Sequence, residues 1–310
     1  MFLRFDKVVY VIIVISVDLL VQMIYDRFVK TFKLNGGTNM YKLIVCDMDE
    51  TLLADNKTIT PKTVEAIKRA VKKGVRFSPN TGRGFLSVQD DLEKLGLKDV
   101  SGQYVISNNG AVIVENKNNR IVKTETMKFE TVNELFKLGI EHPEYCVHIY
   151  TPDELYIWNL NDEEFAYIDG RLNDYEQPKD ESIEFLKEKP ITKIIFSVPS
   201  EGERLALQKY VQENFEEMNI TFSSDRYIEF NSKEADKGQA ALHLGELLGI
   251  KPEEIIAIGD NGNDVPMIKA AGLGVSVANG REFVKEIADY VTEADNNHDP
   301  VAEVIEKFID

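Results

Sequence analysis

The chain has 310 residues, 43% of them hydrophobic, so it is long enough for two domains with buried cores. Its formal net charge of -17 argues against a nucleic-acid-binding protein, which needs a dense field of Lys and Arg, and against docking on anionic membranes. Two cysteines, Cys46 and Cys146, are too few for a disulfide framework and are typical of a reducing, cytoplasmic location.

Residues 1–39 form an N-terminal extension that stands apart from the rest of the chain. Residues 8–17 are almost wholly apolar, and Asp18 interrupts this run before an apolar stretch resumes. A membrane anchor through residues 8–24 would need a span of ~20 residues and would have to place Asp18 in lipid. We favour the alternatives of a mis-assigned start, with translation beginning at Met40, or a dispensable extension.

From Tyr41 onward the chain alternates between strand and helix patterns. Tyr41–Cys46 is a short apolar run, typical of a strand buried on both faces of a parallel sheet. A helix is predicted to begin at Pro61, with Thr60 as its N-cap, and to end at Gly74. Further strands are predicted at Val75–Ser78, Tyr104–Ser107, Ala111–Val114 and Ile121–Thr124, the last two as a hairpin.

The middle of the chain, residues 125–226, is richer in acidic and aromatic residues and mixes both kinds of element. Helices are predicted at Val132–Leu138 and Glu203–Phe215, and strands at Tyr145–Tyr150, Leu155–Asn159 and Ile191–Val198. This pattern predicts an inserted α+β cap domain between two parts of a core, residues 40–124 and 227–310.

The last part of the chain repeats the alternation of the first. The predicted elements are a helix at Lys237–Leu248, a strand at Ile255–Ile258, a helix at Val265–Ala271, a strand at Leu273–Val277 and a helix at Val301–Ile309. The alternation indicates an α/β fold, with a doubly wound parallel-sheet (Rossmann-like) core and right-handed crossovers.

Acidic residues follow two of the predicted core strands. Asp47 and Asp49 lie in the run DMDET at the carboxyl end of the first strand, and Asp260 lies in the run GDNGND at the end of a later one. Ligand sites in doubly wound sheets gather at these strand ends. Oxygen ligands suit Mg²⁺, and paired carboxylates allow one to attack while the other moves protons. The sequence therefore predicts a magnesium site.

Two further features suit an anion. Thr81-Gly82-Arg83 follows the second strand and is expected to open a helix, where a hydroxyl and free backbone N–H groups bind anions. Lys237, at the start of a helix, would hold a phosphate and the charge of a nucleophile. Each is a weak signal alone, since a solvated turn or a surface lysine is the commoner explanation.

Taken together, the motifs resemble the haloacid dehalogenase-like (HAD) superfamily, and within it the Cof-type sugar phosphatases. They stand as DMDET (47–51), NTGR (80–83), Lys237 in DKGQAAL, and GDNGND (259–264), with a large insertion between the second and third. The place of the insertion is similar to that of a type IIB cap. The resemblance covers roughly residues 40–310.

The resemblance implies a role for each motif. Asp47 would attack phosphorus and form an aspartyl-phosphate, and Asp49 would protonate the leaving oxygen and then activate water. Residues implied to hold the phosphate are Met48, Thr81, Gly82, Lys237 and Asn263. Residues implied to hold Mg²⁺ are Asp47, Asp49 (through its backbone carbonyl), Asp260 and Asp264, although Asp264 would either support the metal or orient Lys237. Catalysis of this kind rests on positioning and electrostatic stabilisation.

One position departs from the family pattern, because Glu50 stands where a glycine is usual. We expect its side chain to point outward and leave catalysis intact. The alternative is that its bulk and charge slow turnover or shift the metal preference, which would fit a catalytically weak binding or regulatory protein.

The expected partner is a small phosphorylated metabolite, a phosphosugar or a cofactor-like phosphomonoester. Candidate substrate contacts are Arg83, Asn108, Asn109 and Gly110, at core strand ends. A phosphomutase of the same superfamily is the main alternative to a phosphatase. A receiver-like signalling domain also uses Asp, Thr and Lys around Mg²⁺, but such a domain has no place for the inserted cap.

Overall fold

The computed structural model describes residues 41–310 except 171 and 173. The expectations for the N-terminal extension, residues 1–39, lie outside the described residues. Within the described part, none of the helices has the length and apolar character needed to cross a membrane.

The core is built on a parallel sheet of five strands. In chain order these are β1 (Leu43–Cys46), β2 (Arg76–Pro79), β11 (Ile255–Gly259), β12 (Leu273–Ser276) and β13 (Tyr290–Val291). Their spatial order is β13-β12-β11-β1-β2, so β1 lies between β11 and β2. A parallel bridge from Asn80 to Ile106 connects this sheet to an antiparallel one, β3 (Tyr104–Ser107), β4 (Val112–Glu115) and β5 (Arg120–Thr124).

Both faces of β1 are buried, as its continuous apolar sequence predicts. Ile44 and Cys46 pack into the cluster that includes the first and last described helices, whereas Leu43 and Val45 pack on the opposite face. The helices covering the core are α1 (Pro61–Lys72), α2 (Gln89–Leu95), α6 (Lys237–Leu248), α7 (Val265–Ala270), α8 (Glu282–Ile287) and α9 (Pro300–Phe308). This is the doubly wound α/β core that the sequence predicts, and the hairpin β4–β5 is confirmed by its pairing.

The inserted cap is a separate antiparallel sheet with the spatial order β7-β6-β8-β10-β9. Its strands are β6 (Cys146–Tyr150), β7 (Leu155–Trp158), β8 (Lys193–Ser197), β9 (Met218–Ser223) and β10 (Tyr227–Ser232). Helices α3 (Phe129–Ile140) and α5 (Glu201–Asn214) contribute to the main cap cluster, and α4 (Asp162–Ile168) contributes Ile168 to a smaller cluster. Strand β10 pairs with β8 and β9, so the cap continues to Ser232 rather than ending at residue 226 as predicted.

Candidate active site

The structure brings the two acidic motifs together at one edge of the core sheet. β1 and β11 are parallel neighbours, and Asp47 and Asp260 are the residues that directly follow the runs Leu43–Cys46 and Ile255–Gly259. The Asp47 backbone N–H donates to Ile258 O at 2.9 Å, which continues the pairing to the nucleophile candidate. The carboxyl ends of these two strands therefore place Asp47 and Asp260 side by side.

Lys237 links this edge of the sheet to α6. Its Nζ donates to Asp47 Oδ1 at 2.5 Å and to Asp264 Oδ1 at 2.7 Å, and its side chain is completely buried. Burial opposes a charged lysine, but the carboxylates of Asp264 and Asp47 raise the pKa of Lys237 above its usual range. Lys237 is therefore held as a buried cation against the Asp47 carboxylate.

Asp264 fixes the loop that carries Asp260. Its Oδ2 accepts from the backbone N–H groups of Asp260 at 2.9 Å and Asn261 at 3.0 Å, while its Oδ1 binds Lys237. A Cβ at position 259 would lie 2.5 Å from Asp264 Cβ, so only Gly259 allows this close approach. Both oxygens of Asp264 thus accept hydrogen bonds, and whether it orients Lys237 or supports the metal stays a prediction.

The carboxylates of Asp47, Asp260 and Asp264 form a buried group whose oxygens lie within 4.8 Å of one another. Asp260 Oδ1 accepts from the Thr51 hydroxyl at 2.7 Å. The second oxygens of Asp47 and Asp260 have no hydrogen-bond partner in the described part of the chain. Free carboxylate oxygens are the ligands that Mg²⁺ prefers, so these residues fit that ion, with Asp47 and Asp260 as the direct ligands.

Two acids of this group, Asp47 and Asp260, have raised pKa values. Burial raises the pKa of Asp47, the Lys237 ammonium counteracts part of that rise, and the charges of Asp264 and Asp260 add to it. Burial and the neighbouring Asp264 raise the pKa of Asp260 to about 7, against an opposing hydrogen bond from Thr51. One lysine does not balance three buried carboxylates, and a divalent cation would supply the missing positive charge.

Asp49 lies apart from this group. It follows Met48 in the irregular turn Met48–Leu52, and its carboxylate binds the guanidinium of Arg83 through both oxygens, with Nε–Oδ2 at 2.8 Å. Lys57 Nζ lies 3.1 Å from Asp49 Oδ1. Burial opposes ionisation, but these bonds from Arg83 and Lys57 lower the pKa of Asp49. The Asp49 side chain thus lies outside the acidic group of Asp47, Asp260 and Asp264. Coordination of Mg²⁺ by the Asp49 backbone carbonyl stays a prediction.

Thr81, Gly82 and Arg83 lie in a loop and do not begin a helix, contrary to the prediction. The chain continues through a short helical turn, Phe85–Val88, before α2 begins at Gln89. The prediction failed because α2 is displaced along the chain by that turn. The Gly82 N–H has no partner among the described residues, so an anion-binding donor is present without a helix N-terminus.

The other substrate candidates have separate roles. Asn109 Oδ1 accepts from Asn263 Nδ2 at 3.3 Å, which places Asn109 beside the second acidic motif. Asn108 is fully buried and its Nδ2 donates to Thr192 Oγ1 at 3.2 Å, near the start of β8. Gly110 has φ of 98°, and a Cβ there would lie 2.3 Å from Asp236 O, so it packs against the residue before Lys237. Asn109 thus hydrogen-bonds the phosphate candidate Asn263, whereas Gly110 lies against the backbone of Lys237.

Sequence reasoning missed two cap residues that reach the site. Lys193 Nζ donates to Gly82 O at 2.9 Å and lies 3.3 Å from Glu229 Oε2, and both side chains are buried. Their signal in the sequence is a charged residue inside an apolar strand, in ITKIIF and in YIEFN. A charge at such a position is costly unless it is paired, which marks it for a specific contact.

A cleft of about 390 Å³ opens between the cap and the core beside these residues. On the core side it is lined by Asn109, Lys237 and Asn263, and on the cap side by Thr221 and Phe222 of β9. The cleft offers amide and hydroxyl groups together with an apolar wall, next to the phosphate candidates.

A sequence profile described as haloacid dehalogenase-like hydrolase matches residues 44–305. The putative phosphatase YxeH of Bacillus subtilis (strain 168) is 32% identical over 270 residues, covering 87% of this chain and 99% of YxeH. The 5-amino-6-(5-phospho-D-ribitylamino)uracil phosphatase YcsE of the same organism is 29% identical over 268 residues, covering 86% of this chain and 96% of YcsE.

A solved structure of a HAD subclass IIB sugar phosphatase has the same fold. Its TM-score is 0.74 at 22% sequence identity, and the match covers 86% of this chain and 98% of that chain. The chain therefore belongs to the haloacid dehalogenase-like hydrolases of the Cof type. Within that family it is an enzyme of the phosphatase class.

Proposed function

We propose that this enzyme hydrolyses a small phosphorylated metabolite with Mg²⁺, through an aspartyl-phosphate on Asp47. The observation that supports this most is the contact of buried Lys237 with Asp47, at 2.5 Å, beside the free oxygen of Asp260. The arrangement gives a carboxylate with a cation on one side and an acidic metal site on the other.

The residues divide the reaction between them. The Asp47 carboxylate attacks phosphorus, the bond to the leaving oxygen breaks, and Lys237 neutralises charge on the nucleophile. Thr81 and the Gly82 N–H hold phosphoryl oxygens, and Asn263 donates from the opposite loop. Bound between Asp47 and Asp260, Mg²⁺ would neutralise phosphoryl charge.

Asp49 is assigned to proton transfer. Once released from Arg83, it takes up a proton from solvent, gives that proton to the leaving oxygen and later takes one from the water that attacks the phosphoenzyme. Arg83 holds Asp49 as an anion in this structure, so Asp49 has to exchange Arg83 for the substrate before it acts. Arg83 is then free to pair with an anionic group of the substrate.

The relatives and the cleft suggest a substrate class. A phosphosugar or a cofactor-like phosphomonoester would place hydroxyl groups against Asn109 and Thr221 and an apolar part against Phe222. The named activities of the related proteins, on a ribityl phosphate and on sugar phosphates, are of this kind. The proposal includes a cytoplasmic location, for which the two free, buried cysteines are suited.

The test is phosphate release by the full chain from a panel of sugar phosphates, ribityl phosphates and nucleotides, with Mg²⁺ and with EDTA. We expect Mg²⁺-dependent release, reduced by at least about 10³-fold in Asp47→Asn. The exposed Asp153→Asn serves as the matched control and should leave release unchanged. Release that survives EDTA or Asp47→Asn would overturn the mechanism, and an isomeric product without free phosphate would indicate a phosphomutase.

A further inference from the structure

Lys193 is a buried cation of the cap whose charge serves no step of the proposed reaction. Its Nζ lies over the Tyr150 ring, 4.4 Å from the centroid, and donates to Gly82 O at 2.9 Å. Lys193 and Glu229 are 3% and 5% exposed, and they pair with each other at 3.3 Å. Burying such a pair is costly, so the pair is weak evidence for a role in stability. Its contact with Gly82, in the loop that carries Thr81, therefore calls for another explanation.

One consequence of the contact concerns the Thr81 hydroxyl. Lys193 fixes the Gly82 carbonyl, and the same peptide plane carries the N–H of Arg83. That N–H donates to Thr81 Oγ1 at 3.1 Å. An oxygen that already accepts a bond directs its own proton elsewhere, and no acceptor for that proton lies among the described residues. The Thr81 hydroxyl is thereby set to donate toward an anion at the loop.

A second consequence concerns Asn263 on the other side of the site. Glu229 Oε2 accepts from Asn109 Nδ2 at 3.1 Å, and an ionised carboxylate cannot face the amide oxygen. Asn109 Oδ1 therefore faces Asn263 and accepts from Asn263 Nδ2 at 3.3 Å. This bond uses one hydrogen of the Asn263 amide and leaves the other for a phosphate oxygen.

We propose that the Lys193–Glu229 pair is a positioning device, which orients the hydroxyl of Thr81 and the amide of Asn263 toward the phosphoryl group. The pair belongs to strands β8 and β10 of the cap, whereas both oriented groups belong to the core. The phosphate subsite is complete only while the cap rests on the core. A role of the pair in catalysis rests on the proposed function. Its effect on anion binding rests on the contacts alone.

The first measurement is the affinity of Lys193→Met for inorganic phosphate, by calorimetric titration of the full chain with Mg²⁺ present. We expect affinity to fall about tenfold and kcat/KM to fall at least as much, under conditions where the variant is folded. The matched control is Lys189→Met, because Lys189 is a cap lysine paired with Glu154 and placed 5.2 Å from the Tyr156 ring, away from Gly82. Equal phosphate affinities of Lys193→Met and Lys189→Met would overturn the proposal.

A double-mutant cycle separates positioning from direct contact with the substrate. If Lys193 acts through Thr81, its replacement should change phosphate affinity less than about twofold in a Thr81→Val background. Full additivity of the two changes would contradict the relay. A role in folding alone would lower the melting temperature without this coupling.

Removing Lys193 alone leaves Glu229 unpaired, which can prevent folding. The neutral pair Lys193→Met with Glu229→Gln avoids this, since the Gln oxygen still accepts from Asn109. We expect that variant to fold and still to lose phosphate affinity about tenfold, because the contact to Gly82 is absent. Unchanged affinity in the folded double variant would refute the proposal. Phosphate titration tests the positioning proposal even if the wild type hydrolyses no ester. Absence of hydrolysis would count against the proposed function instead.

Discussion

Glu50 adopts a left-handed backbone conformation, with φ of 60° and ψ of 10°, between Asp49 and Thr51. Its side chain is exposed, as expected, and its carbonyl accepts from Asn279 Nδ2 at 2.8 Å. A side chain with a Cβ is strained in this region, whereas glycine enters it freely. The backbone thus keeps a left-handed turn in the first motif, and Glu50 is strained there because it has a Cβ.

Replacing Glu50 separates this strain from the effect of its charge. We expect Glu50→Gly to raise the free energy of unfolding by about 1 kcal/mol, and Glu50→Ala to have little effect, because Ala retains the Cβ. Urea denaturation of the three proteins gives the comparison. Equal stability of the Gly and Ala variants would show that the turn is unstrained. A change in turnover common to both variants would report the lost carboxylate instead.

The meeting of Asp47 and Asp260 was predictable, because each follows an apolar strand and the strand order of a doubly wound sheet brings their ends together. Asp47, Asp260 and Lys237 therefore meet as expected. The contact of Asp49 with Arg83 and the reach of Lys193 to Gly82 were not predictable, since each joins segments whose relative position depends on tertiary packing.

At the scale of elements, α4 is held to the cap sheet by the buried carboxylate of Glu164. Its oxygens accept from Ser197 Oγ at 2.7 Å and from the hydroxyl of Tyr227, and they lie 3.3 Å from His148 Nε2 and 3.0 Å from Arg226 Nη2. Burial opposes ionisation, but the bonds from His148, Tyr227 and Ser197 lower the pKa of Glu164 to about 2. Glu164 thus binds α4 to β6, β8 and β10 by hydrogen bonds and charge, in addition to the apolar contacts of Ile168.

This predicts that the cap weakens in acid. The pKa of Glu164 in the folded state is lower than its usual value near 4.5. The ionised Glu164 therefore contributes its full stabilisation above pH 4.5, and this contribution is lost as pH falls toward 2. About 2 kcal/mol should disappear between pH 6 and pH 3 in the wild type. Glu164→Gln should be less stable at pH 7 but should lack this share of the acid dependence. Urea midpoints from pH 7 to pH 3 test the difference, and parallel curves for the two proteins would contradict it.

Periodicity predicted the long helices and most of the short strands, β3 with its bounds, but missed two strands of the cap. The helix Lys237–Leu248 has the predicted bounds, and α3 and α5 contain the predicted segments almost entirely. Strands β9 and β10 were missed because polar residues such as Asn219, Thr221, Glu229 and Asn231 alternate with their apolar ones, facing the site rather than solvent. A strand that lines a cleft does not have the pattern of a buried strand.

At the scale of the molecule, the core and the cap each have their own hydrophobic clusters. The core clusters contain β1, β2, β11 and their helices, and the cap clusters contain β6, β7, β8 and theirs. Among the residues that the structure describes, no cluster is shared between core and cap. The two parts meet instead through polar contacts, such as Lys193 with Gly82 and Asn108 with Thr192. Such an interface couples their unfolding weakly.

The only tryptophan, Trp158, makes this testable, because it is buried in the cap. Its fluorescence should follow unfolding of the cap, whereas far-ultraviolet circular dichroism follows the whole chain. We expect the two signals to have different urea midpoints, and Glu164→Gln to shift the fluorescence midpoint more than the dichroism midpoint. Coincident midpoints in both proteins would mean that the cap and the core unfold as one unit.

The distance along the chain between the parts of the acidic site also bears on how the protein is made. Thr51 and Asp260, which share a hydrogen bond, are 209 residues apart, with the entire cap between them. Synthesis proceeds from the N-terminus, so Asp47 and Thr81 leave the ribosome long before Lys237 and Asp260 exist. An emerging chain therefore exposes β1 and its acids before their partners are made. If the cap folds on its own, it is already in place between β1 and the later core strands when those strands are synthesised.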